Sequence, residues 1–178
     1  PELSATSLTI DPTSSLYFSL PSPGAFNGFG KTNLGPLVVD VKHSPKAPLD
    51  DHDLIVTARA VPTFRSVRSL ALTYRVMYAA EISLPMLDDG AHGDGAAGDG
   101  VYGATIPAAA STPGQMVRYF IRAEDSEGNP SRWPAYQDTR NSPQYFGTMI
   151  ADPAVASALP VLHWFIQNRT AADSETGT

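Results

Sequence analysis

The residues best suited to chemistry in this chain lie in one segment, LDDGAHGDGAAGDGVY at 87–102, where Asp88, Asp89, Asp94 and Asp99 are interleaved with five glycines. No lysine or arginine occurs between Arg75 and Arg118, so these carboxylates have no cation near them in the sequence. Carboxylates that repel one another on pliable backbone suit a hard cation, and calcium is bound by carboxylate and carbonyl oxygens of this kind. The spacing departs from the calcium loop of helix-loop-helix proteins, because its terminal bidentate glutamate has no counterpart and no helical pattern flanks the segment. A second reading needs no metal: Asp-Gly pairs build turns in which the aspartate bonds nearby backbone and glycine supplies positive φ. Asp88, Asp89, Asp94 and Asp99 therefore stand as candidate metal ligands. Calcium is the ion considered, and no cofactor is required.

Other constellations are weaker. The stretch GAFNGFGKT at 24–32 ends like a phosphate-binding loop, but its first glycine would have to stand at 25, which is Ala25. No Gly-x-Ser-x-Gly elbow exists, and His43, His52, His92 and His163 fall on different predicted elements with no spacing that suggests a triad. His163 lies inside an apolar run and is expected as a hydrogen-bonded interior residue. Trp133 and Tyr136, in the segment RWPAY, are ligand-binding candidates, since an exposed indole or phenol can stack on a sugar ring or a partner. The alternative is that Trp133 caps the open end of a core. Asn168-Arg169-Thr170 fits a glycosylation sequon, which matters only in a eukaryotic secretory pathway.

The elements that would position these groups read as strands. Leu70, Leu72, Tyr74, Val76 and Tyr78 alternate with Ser69, Ala71, Thr73, Arg75 and Met77, the two-residue period of a half-buried strand. Val117, Tyr119, Ile121 and Ala123 likewise alternate with Met116, Arg118, Phe120 and Arg122. Further candidates fall at 37–42, 54–61, 82–86, 101–106 and 145–150, with a strand-like run at 16–20 in a turn-rich leader. About seven short strands separated by turns predict an all-β fold, an antiparallel two-sheet sandwich of the immunoglobulin-like or fibronectin type III-like kind, with a barrel as runner-up. The absence of a disulfide favours the fibronectin-like end. Residues 1–35 read as a linker or the tail of a preceding domain, 36–150 as the sandwich, and 151–178 as a short helix at 154–159 followed by an apolar strand at 161–166.

Composition narrows the function. The chain has 178 residues, 16 prolines and 14 glycines, too many for a helical bundle. Its net charge is −6 with twelve basic residues scattered along the chain, which argues against a nucleic-acid surface. No apolar run is long enough to span a bilayer, and the lack of cysteine removes disulfides and thiolate sites together. No nucleophile, base and orienting group can be grouped by spacing, so the chain is read as non-catalytic.

Three stretches resemble a known arrangement. LDDGAHGDGAAGDGVYGATIPA followed by GQMVRYFIRAEDSEGNPSRWP resembles an Ig-like or fibronectin-like module of large bacterial exported proteins. YFSLPSPGAFNG resembles the segment that follows lamin-tail-like domains in them, and LPVLHWFIQN resembles the opening of a CotH kinase-like domain. The resemblance implies an extracellular or cell-surface spacer or interaction module whose partners are neighbouring domains of the same polypeptide, or protein or glycan at the cell surface. It carries over no catalytic residue, because none of the kinase-like motifs falls within the chain. A calcium- or carbohydrate-binding module, or an accessory domain of a kinase-like enzyme, are the alternatives.

Overall fold

The computed structural model describes residues 33–135 and 144–173. The leader strand at 16–20, the near-miss phosphate loop, most of the 1–35 linker and Tyr136 lie outside the described residues.

Among the described residues, eight strands pair into two antiparallel sheets. The smaller sheet is ordered β1 (Leu37–Ser44), β2 (Leu54–Val61) and β5 (Val101–Ile106). The larger is ordered β4 (Ile82–Met86), β3 (Val67–Val76), β6 (Met116–Asp125) and β7 (Pro130–Trp133), with β8 (Phe146–Met149) pairing β6 beside β7. The fold is a two-layer, Ig-like β-sandwich, as the alternation predicts.

The core sits where the two inner faces meet. Leu54, Val56, Ala58 and Ala60 of β2 face Leu70, Leu72 and Tyr74 of β3 and Val117, Tyr119, Ile121 and Ala123 of β6, all buried. Each alternate residue faces away, which is the two-residue pleat acting on both sheets. Tyr119 ties the layers together: its ring stacks on Phe146 and its hydroxyl lies 3.0 Å from His43 Nδ1 on the opposite sheet. Burial pushes its phenol up to about 12.

Two non-glycine residues take left-handed backbone where strands must be interrupted. Asp40 (φ 52) sits in the register shift between Val39 and Lys42 of β1, the place for a β-bulge. Met77 (φ 50) follows the last residue of β3, and its backbone N–H donates to the Met116 carbonyl at 2.8 Å.

Strand β7 is absent from the sequence-based reading, being four residues long and opening on Pro130. The turn that creates it is built on Asp125, whose fully buried carboxylate accepts from the backbone N–H groups of Glu127 and Asn129 and from the Asn129 amide. Burial opposes that charge, but the Asn129 amide and the two N–H groups hold the carboxyl below its ordinary value.

The end of the chain corrects three expectations. Residues 154–159 form no helix: Asp152 closes one turn through Ala154 N and Val155 N, and a lone turn with no apolar face to bury does not propagate. An α-helical turn is instead found at Arg169–Ala172. The run 161–166 is not a strand either, and it stands off the core with Leu162 90% and Trp164 83% exposed. His163 is consequently exposed rather than interior, because its apolar neighbours have nothing to pack on. Among the described residues no helix is long and apolar enough to cross a membrane.

Candidate functional site

The aspartate segment connects β4 of one sheet to β5 of the other and folds back over the outer face of the smaller sheet. Leu87 and Gly103 exchange both backbone hydrogen bonds, at 2.9 and 2.8 Å, which pins the two ends of the loop together. A Cβ on Gly103 would lie 2.2 Å from the His92 carbonyl oxygen, so only glycine lets the loop come down on β5. Gly93 makes a similar approach to Ile55 of β2, and the Arg59 guanidinium holds the Asp99 carbonyl at 3.2 Å.

Within the loop each carboxylate accepts from backbone N–H groups. Asp94, nearly fully buried, accepts from Asp89 N and Gly90 N on one oxygen and His92 N on the other, at 2.8 to 2.9 Å. Asp88 reaches across to Gly98 N, Asp99 N and Gly100 N. Asp99 accepts from Val101 N and Ala96 N. Asp89 accepts from Ala91 N, and its other contact is the His92 ring at 2.9 Å. These are anions set in nests of peptide dipoles, an arrangement that stabilises negative charge without a cation. The N–H of Gly90, with His92 and Asp89, holds the Asp94 carboxyl below its ordinary value against burial, and the His92 ring does the same for Asp89. The four side chains do not converge on one point, and among the described residues no three histidine or acidic side chains are placed to hold a metal ion.

Trp133 lies on edge strand β7, opposite Ile121, and is 46% exposed. It shares the side of the sheet that Ile121 presents to the core but does not pack against the core as the burial habit of indoles suggests, since among the described residues β7 is the edge of its sheet. Tyr136, its expected companion, lies outside the described residues.

A second cluster, on the outer face of the larger sheet, was not singled out from the sequence. Phe120 of β6 points away from the core yet is only 2% exposed, because Arg132 of β7 lies over its ring at 4.0 Å and Arg122 flanks it at 5.4 Å. Tyr145 meets Phe120 edge-on, and Arg118 lies over the rings of both Tyr145 and Tyr78, at 5.2 and 5.3 Å. Arg132 is anchored by the Pro134 carbonyl and, at 2.6 Å, by that of Gln144, while Arg118 donates to the Met77 carbonyl at 2.7 Å. Four of the twelve basic residues thus share one face and are not scattered. The signal was present in the outward-facing sets of β3 and β6, which contain Arg75, Arg118 and Arg122.

Residues 51–132 match the family model of the conditioned medium factor second Ig-like domain. The matched stretch runs from just before β2 through most of β7 and takes in the aspartate loop and all four arginines, while Tyr145 lies beyond it. It bears on the sandwich part of the resemblance drawn from the sequence, while the lamin-tail-like and CotH-like stretches fall outside it. No curated protein matches the chain.

Proposed function

We propose that this chain is a non-catalytic spacer and interaction module, held outside the cell within a larger multidomain protein. The observation that carries the reading is the run 159–166, where Leu159, Leu162 and Trp164 stand in solvent on a segment that has already left the sandwich. Side chains of this size in water are what a contact with a neighbouring folded unit removes. The run is hooked to the sandwich by the Tyr78 hydroxyl, which donates to the Phe165 carbonyl at 2.8 Å, so a partner there would be held at a defined place. The two-sheet core supplies the rigidity of a spacer. Placement outside the cell rests on the likeness of residues 87–134 to modules of exported proteins.

Trp164 reports on this directly. With Trp133→Phe in place it is the chain's one indole, and its emission is expected to be solvent-like in the isolated chain and blue-shifted in the polypeptide of the complete reading frame. Emission that stays solvent-like in the longer polypeptide, or turnover of phosphoryl or glycosidic substrates by the isolated chain, sinks the reading.

A further inference from the structure

The outer face of the larger sheet places like charges where a sheet should avoid them. Arg75 of β3 stands directly opposite Arg118 of β6, and Arg122 of β6 directly opposite Arg132 of β7. Directly opposed like charges destabilise a pair of strands, and here this happens twice on one face. Among the described residues, the arginine ion pairs are made by Arg59, Arg65 and Arg68, and none by these four. The acids nearest this face are Glu124, paired with Arg68, and Glu81, which accepts from the Tyr145 hydroxyl and attracts Arg132 from beyond ion-pair distance. The Nε groups of Arg75 and Arg118 are buried without a hydrogen-bond partner.

Resting on the reading of the chain as an interaction module, we infer that this face docks an acidic, extended protein segment whose carboxylates bridge the two arginine pairs. Three observations set the chemistry. All four cations are arginines, whose planar fork matches a carboxylate with two parallel hydrogen bonds. Three of the four, Arg118, Arg122 and Arg132, have their guanidinium groups over Phe120, Tyr78 or Tyr145, so little freedom of these side chains remains to be lost on binding. Along β6 the pairs are four residues apart, roughly 13 Å, the separation of side chains i and i+4 in an extended partner chain. Sugars and nucleobases bind such faces by stacking on an open ring, and none is open: Phe120 lies beneath Arg132, and Arg118 overlies both tyrosines.

A short poly-glutamate peptide is the probe, with heparin and a DNA oligonucleotide as competing polyanions, followed by fluorescence anisotropy alongside the melting temperature. Poly-glutamate is expected to bind, more weakly as salt rises. Arg122→Gln should reduce affinity about tenfold while leaving the melting temperature equal or higher, since it relieves one opposed pair. Arg68→Gln, at an arginine already paired, should bind as the native chain does. Arg122 is exposed and only flanks Phe120, so its substitution leaves the closer cover by Arg132 in place even if an Arg132 variant does not fold. Absence of poly-glutamate binding, equal binding by Arg122→Gln, or tighter binding of heparin or DNA overturns the inference. Each of these outcomes leaves the spacer reading standing, since that reading is decided by the Trp164 emission.

Discussion

The two outer faces of the sandwich gather charge of opposite sign and treat it in opposite ways. On the smaller sheet, four aspartates turn inward on their own loop and accept from its backbone N–H groups, so that repulsion among them is offset by nearby peptide dipoles. On the larger sheet, four arginines share one face, three of them over aromatic rings, and among the described residues none of the four makes an ion pair with a carboxylate. The acidic cluster is conspicuous in the sequence and internally satisfied. The basic one is dispersed in the sequence and left open. Density of a residue type along a chain is therefore a poor guide to function; what decides is whether the fold has already supplied the partner.

The comparison can be broken most forcefully at Gly103. If the acidic loop is seated as described, Gly103→Ala drives a methyl into the His92 carbonyl, and we expect a loss of about 1–3 kcal/mol by the usual cost of overpacking. Urea unfolding would show it as a lower midpoint at unchanged slope. A midpoint that does not move means the loop is not packed on β5.

A smaller effect is expected in acid. Asp94 and Asp89 are held below their ordinary value of 3.8 in the folded chain, so the unfolded chain takes up these protons first. Their contribution to stability is complete above that value and drains away as pH falls through the folded ones. Melting temperature should decline below about pH 4, and Asp94→Asn, whose side chain has one acceptor oxygen where the loop uses two, should lower it at neutral pH and flatten the acid slope. An unchanged acid slope in that variant removes Asp94 from its central place in the loop.

The smallest effect is calcium. Because the carboxylates already have partners and do not converge, millimolar calcium is expected to leave the melting temperature where it is. A ligand bound only to the folded state must raise it, so a clear rise would support the metal reading of Asp88, Asp89, Asp94 and Asp99.

The sandwich itself was legible because its signal is local. Each long strand announces its inner face by alternation, and Leu70 to Tyr74 and Val117 to Ala123 lie as their pattern requires. What stayed hidden depends on pairing between distant residues. Nothing in the chain near Arg122 foretells Arg132 as its cross-strand neighbour, since that register is set by the Asp125 turn and by a strand too short to show a period. The same holds for Phe120, an apolar residue on an outward position whose cover comes from another strand. The run 161–166 failed for a different reason: apolarity states a need for burial, and it says nothing of whether the surface that meets the need belongs to the same folded unit.

Acid over one sheet and guanidinium over the other would give the domain an electric moment running through its thickness. A body with such a moment feels a torque in an external field, and the field of an acidic surface reaches about 10 Å at ordinary ionic strength. The module would therefore rotate its larger sheet forward before touching, so that the polarity built by two strand registers chooses the angle of first encounter.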